Sequence, residues 1–150
     1  MSVIQNYYQQ QFKLDPNVVA ENLVRNFYYI MSTTGLSKLL HIFTNDCSCT
    51  INNITLIGAT NLFVLLTESN VKRFNYDQIQ YATQIISNDA ILVSVTGYLQ
   101  LFNNANITDN VWRRFTETFI IKYVNGNLYI TNHVFNIFYI FNNFNYYSQS

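Results

Sequence analysis

Residues 111–141, VWRRFTETFIIKYVNGNLYITNHVFNIFYIF, carry the reading that decides the fold. Val111 to Val124 reads as a strand, and the strand period of two puts Phe115, Glu117 and Phe119 on one face and Thr116, Thr118 and Ile120 on the other. Asn125-Gly126 supplies two residues that tolerate positive φ, which a two-residue hairpin turn requires. Leu128 to Phe141 then resumes a strand pattern. Two long strands joined by a tight turn make an antiparallel hairpin, and its apolar face needs a cover from elsewhere in the chain.

The sequence before the hairpin supplies more sheet, then the cover. Ala90 to Phe102 is a strand with Ile91, Val93, Val95, Leu99 and Leu101 on one face, and Gly97 marks a bend or bulge. It follows the turn Ser87-Asn88-Asp89 and a β-rich stretch from Val71 to Ile86; a polar loop, Asn103 to Asn110, separates it from the hairpin. Asp15-Pro16 is a helix start, with Asp as the cap and Pro at the first position. Ala20, Leu23, Val24, Phe27, Tyr28 and Met31 then recur at helical spacing until Gly35. Leu36 to Phe43 reads as a short second helix and Ala59 to Glu68 as a third. Between them, Cys47 to Ile51 and Ile54 to Ile57 read as short strands around Asn52-Asn53. The expectation is one α+β domain over residues 15–141, with three helices against a strongly curved antiparallel sheet, an N-terminal arm (1–14) and a C-terminal tail (142–150).

Eight Lys and Arg balance eight Asp and Glu in 150 residues. Direct nucleic-acid binding or adhesion to an anionic membrane needs a basic patch that such a chain lacks. Charged residues are 11% of the chain, against a usual share of about 25%, and a surface so short of charge favours self-association. Abundant Asn, Ile, Tyr and Phe match an AT-rich coding genome, such as that of a large DNA virus or an AT-rich protist. There is no secretory leader pattern and no apolar run of about 18 residues. Cys47 and Cys49 form a C-x-C pair. A zinc site would need His41 and His133 to converge on it, whereas two reduced strand residues sharing a face need nothing more and fit an intracellular compartment. No metal is expected.

Val95-Thr96-Gly97-Tyr98-Leu99, then Arg113-Arg114-Phe115-Thr116-Glu117-Thr118-Phe119, then Tyr129-Ile130-Thr131-Asn132-His133-Val134-Phe135 resemble the last three strands of the nuclear transport factor 2 family. They resemble even more the head domain of the Ras-GAP-binding stress-granule scaffolds, and Val24-Arg25-Asn26-Phe27-Tyr28 resembles that family's first helix. The resemblance covers about residues 16 to 138. It implies a cone-shaped fold, no cofactor, a homodimer formed through the outer sheet face, and a cytoplasmic or nuclear-envelope location. The dimer face would hold Thr96, Tyr98, Trp112, Arg114, Thr116 and Thr118. It also implies a groove for short Phe-containing peptides at Val19, Leu23, Phe43 and Leu128, although Phe43 alone reads more simply as core. A free-standing head of this kind would compete with a host version for the same peptides, as a viral mimic would. The family's other role, carrying the GDP form of Ran, uses an Asn-Asp edge that here reads Asn132-His133, without the carboxylate a partner lysine would meet. His133 then reads as an ordinary polar strand residue.

The same cone also hosts lyases and isomerases, whose sites need a carboxylate or His inside an apolar cavity. Glu117 is the candidate, on a face with Phe115 and Phe119. Arg113 lies on that face about 13 Å away along the strand, and His41 and Asp46 would line the cone mouth ahead of the first strand. The plainer reading makes Glu117 a hydrogen-bonded residue at the dimer seam. No Ser/His/Asp order, phosphate loop or paired carboxylates accompany it, so no catalytic residue is assigned.

Overall fold

The computed structural model describes residues 15–33, 35–103 and 111–138. The N-terminal arm, most of the Asn103–Asn110 loop and the C-terminal tail lie outside these residues. Helix α1 spans Pro16–Met31, capped by the Asp15 carboxylate, which accepts from the Asn17 amide at 2.8 Å. Ala20, Val24, Phe27, Tyr28 and Met31 form its buried stripe. A 3₁₀ helix follows at Leu36–His41, then strand β1 (Phe43–Ile51), strand β2 (Ile54–Ile57) and helix α2 (Ala59–Glu68). Four long strands complete the chain: β3 (Val71–Ser87), β4 (Ala90–Asn103), β5 (Arg113–Val124) and β6 (Asn127–Ile137).

Three sequence expectations need correction. The second helix is 3₁₀ and stops at His41, which frees Phe43 to begin β1 four residues earlier than the Cys47 start read from the sequence. The polar triplet Thr44-Asn45-Asp46 hid that start. Trp112 and Val111 precede β5 rather than belong to it. The sheet, ordered β2-β1-β6-β5-β4-β3, is not wholly antiparallel, because β1 and β6 run parallel. Asn52 fastens this parallel pair: its amide donates to the Phe135 carbonyl at 3.0 Å, and its side-chain oxygen accepts from Ile137 N at 2.9 Å.

The β5–β6 turn is as expected, with φ of 49° at Asn125 and 92° at Gly126. Away from the turn the register breaks. Ile121 pairs with Ile130, but Ile120 pairs with Asn132, so Thr131 is an extra residue with no partner on β5. Directly opposed residues share a face, so this bulge changes which β6 residues face the helices. Ile130 is buried before it; His133, Phe135 and Ile137 are buried after it. A second bulge lies in β3, where Asp77 pairs with Tyr98 and Gln80 with Thr96. Opposite it sits Gly97, whose missing Cβ would stand 2.7 Å from Ile79 Cδ1, 3.2 Å from Phe115 Cε1 and 3.3 Å from the Asp77 carbonyl. The glycine read as a bend is therefore the gap into which the neighbouring strand's bulge packs.

Ile79 can rotate aside, but the Phe115 ring and the Asp77 backbone cannot both yield freely. Gly97→Ala should cost about 1–3 kcal/mol through overpacking. Urea unfolding would show this as a lower midpoint at unchanged slope.

Candidate functional site

The inner face of β5 carries Arg113, Phe115, Glu117, Phe119 and Ile121, all buried. Across the bulged register His133 opposes Phe119, and Glu117 opposes Phe135. Glu117 and His133 are thus diagonal neighbours on one face, and His133 Nε2 shares a hydrogen bond with Glu117 Oε2. Their side chains are 2% and 1% exposed. Glu117 faces inward with Phe115 and Phe119, buried and hydrogen-bonded, and His133 is a polar strand residue whose side chain turns into the core. Arg113 donates from its guanidinium to the Val111 carbonyl at 3.3 Å.

Aromatic rings enclose the pair. The His133 ring centroid lies 5.0 Å from that of Phe119, 5.6 Å from Phe27, 5.9 Å from Phe43 and 6.2 Å from Phe135. Tyr28, on α1, packs edge-on against Tyr76 at 4.9 Å. Burial first, and then the Glu117 charge, hold the phenols of Tyr28 and Tyr76 well above the usual tyrosine range. Cys49 sits beside His133 in the parallel ladder. Its sulfur is 3.8 Å from that of Cys47, and both thiols are free and buried, as expected for two strand residues sharing a face. The hydrogen bond with the Cys47 sulfur first, and then burial, push the Cys49 thiol up, which leaves it a poor nucleophile. Among the described residues, no three His, Cys, Asp or Glu side chains are grouped to hold a metal.

The peptide-groove candidates all pack against this core. Val19 and Leu23, one turn apart on α1, are half-buried, as is Leu128. Phe43 is 3% exposed, a core residue first. The dimer-face candidates occupy the opposite side of the sheet, in cross-strand pairs Thr96–Thr116, Ser94–Thr118 and Tyr98–Arg114. Trp112 is 42% exposed just ahead of β5. The Thr131 bulge adds Val134 to this side, opposite Thr118 and 41% exposed. His41 and Asp46 both line an open cleft of about 500 Å³ beside the hairpin turn, together with Phe43, Thr44, Asn125 and Tyr129. Asp46 lies within β1, not ahead of it.

The Glu117–His133 pair escaped the sequence reading because it depends on the bulge. The available signal was a change of phase: apolar residues fall at 128 and 130, then at 135 and 137.

Removing one member of a buried polar pair strands the other. Glu117→Ala should destabilise the fold by about 3–5 kcal/mol, and a double-mutant cycle with His133→Ala should show coupling between the two sites. The tyrosines set an alkaline limit. The unfolded chain releases its phenol protons near pH 10, while the folded chain keeps those of Tyr28 and Tyr76. Their contribution is complete below about pH 10 and declines above it, by up to about 1.4 kcal/mol per pH unit for each. Tyr76→Phe should flatten that decline in unfolding curves measured from pH 9 upward.

The model of the nuclear transport factor 2 (NTF2) domain matches residues 19–137. No curated protein matches the chain in sequence. Among solved structures, the chain is similar to nuclear transport factor 2 from Cryptosporidium parvum (TM-score 0.66, 19% identity, covering 78% of this chain and 90% of that one). It is also similar to the yeast UBP3-associated protein BRE5 (TM-score 0.62, 19% identity, 85% and 99% covered). A putative NTF2-like dehydratase from Streptomyces avermitilis shares the fold as well (TM-score 0.67, 13% identity, 85% and 100% covered). With the family model spanning both the helix that covers the sheet and the hairpin that holds Glu117 and His133, the chain belongs to the nuclear transport factor 2 domain family.

Proposed function

We propose that the chain is a non-enzymatic, homodimeric protein-interaction domain that binds short Phe-containing peptides beside α1. The observation that carries this reading is the burial of the inward acid–base pair, whose two side chains are 2% and 1% exposed. It is flanked by the rings of Phe27, Phe43, Phe119 and Phe135. Proton-transfer catalysis needs a substrate within hydrogen-bond reach of its acid or base, and these rings stand around the pair. What is left for recognition is the outside. Val19 and Leu23 offer an apolar strip on α1, and burying a peptide Phe there is worth about 1.5–3 kcal/mol. On the outer sheet face, Trp112 and Val134 add exposed apolar surface to a plane of threonines. A face of that kind suits a second copy of itself. The likeness to BRE5, which is described through its association with another protein, points the same way.

The second reading, a lyase or isomerase, is supported by the Glu117–His133 pair itself and by the likeness to a putative dehydratase. It requires the aromatic wall to part.

Calorimetric titration of Phe-Gly-type peptides separates the two. The wild type should give saturable heat. Leu23→Asp should weaken binding at least about tenfold, the equivalent of 1.4 kcal/mol, measured below the variant's own melting transition, since Leu23 also packs against the core. Absence of heat with every Phe-containing peptide would end the groove reading. Sedimentation at micromolar concentration should give a dimer that Tyr98→Asp splits, and a wild-type monomer would remove the dimer.

A further inference from the structure

We propose that the cleft beneath residues Thr44 to Asp46 is a subsite for a cationic side chain, a lysine or arginine close to the Phe of the bound peptide. This rests on the peptide-binding reading and adds the charge of the partner to it.

The cleft exists because β1 and β6 are unequal. Between the pairs Phe43–Ile130 and Ser48–Asn132, β6 spends only Thr131, whereas β1 spends Thr44 to Cys47. The four β1 residues stand against one on β6, a register irregularity within the strand. Gly58 donates its amide to the Cys47 carbonyl at 2.7 Å. The cleft, about 500 Å³, is within the usual range of roughly 300–1,000 Å³ for small-ligand sites.

The lining selects the occupant. Leu40, Phe43 and Val124 supply apolar surface, and Asp46 supplies a carboxylate. Among the described residues no Lys or Arg lines the cleft, and its other titratable side chains are His41 and Tyr129. Asn125 and Tyr129 add polar atoms able to accept a hydrogen bond, and the Thr44 hydroxyl oxygen is buried there without a partner. An aliphatic stem laid along apolar side chains with its charged head at a carboxylate is how Lys and Arg bind. An acidic side chain would meet Asp46 with no lining cation to offset it. Phe43 belongs to this lining and to the proposed Phe groove. The two sites therefore adjoin, and the cation should fall within about three residues of the peptide Phe, at roughly 3.3–3.6 Å per extended residue.

The test uses three Phe-Gly peptides that differ only in carrying Lys, Gln or Glu within three residues of the Phe. Wild-type protein should bind the Lys peptide about two- to fivefold tighter than the Gln peptide, the range of a partly exposed ion pair, and the Glu peptide weakest. Asp46→Asn should bring the three affinities together, and Asp46→Lys should reverse their order. Leu23→Asp should weaken all three alike. Equal wild-type affinities, or a Lys preference that survives Asp46→Asn, would overturn the subsite and leave the groove standing. If no peptide binds at all, the groove reading fails by itself. Titration with N-acetyl-arginine methylamide, followed by NMR, then decides the subsite alone. Amide shifts at Asp46, Asn125 and Tyr129 that vanish in Asp46→Asn uphold it, and an unshifted spectrum rejects it.

Discussion

Thr131 has no partner on β5, and the side chains that face the helices follow from that one unpaired residue. Continued in the register set by Asn125-Gly126, β6 would turn Asn132, Val134 and Asn136 toward the core. Two buried amides would then need partners that an aromatic interior does not offer. With Thr131 looped out, His133, Phe135 and Ile137 face inward and the polar residues face water. The bulge is held locally. The Thr131 hydroxyl lies 3.3 Å from the Ile120 carbonyl and 2.9 Å from the Asn132 side-chain oxygen. A bulge also bends its strand and increases its twist, which curves the sheet around α1.

The pair that this register creates is a specificity device more than a source of stability. Moving a carboxylate and an imidazole out of water costs much of what their contact returns. In any slipped register, however, Glu117 would be buried among phenylalanines with no partner, a far larger penalty. A slip of one residue also sends every side chain to the opposite face. Glu117 and His133 therefore penalise the alternatives to the native hairpin, and the rings around them add about 0.5–1.5 kcal/mol per aromatic contact.

The hairpin, the helix start at Asp15-Pro16, the long strand from Ala90 and helix α2 were legible because each is written locally: a turn dipeptide, a cap, a period. The parallel pairing of β1 with β6 was not, since it joins residues far apart in sequence and nothing in Phe43–Ile51 announces its neighbour. The polar triplet Thr44-Asn45-Asp46 looked like a loop because it interrupts the strand pattern, and it proves to be the irregular part of a strand. The Glu117–His133 contact was out of reach for a related reason. Alternation gives the face of each residue only while the register holds, and one extra residue on β6 inverts the answer for everything beyond it. Cys47 and Cys49 were read correctly because the period of two was sufficient.

Family membership leaves the chemistry open, because one cone serves carriers, scaffolds and lyases. Within the cone, what differs is how the interior is filled and what the rim presents. Here the interior is given over to phenylalanine and tyrosine around one buried polar pair, in which His133 Nε2 meets Glu117 while His133 Nδ1 is buried without a hydrogen-bond partner. The outside is so poor in charge that a single carboxylate carries unusual weight. On the peptide-binding reading proposed above, a chain of balanced net charge would draw its selectivity from isolated groups such as Asp46 rather than from an extended electrostatic patch.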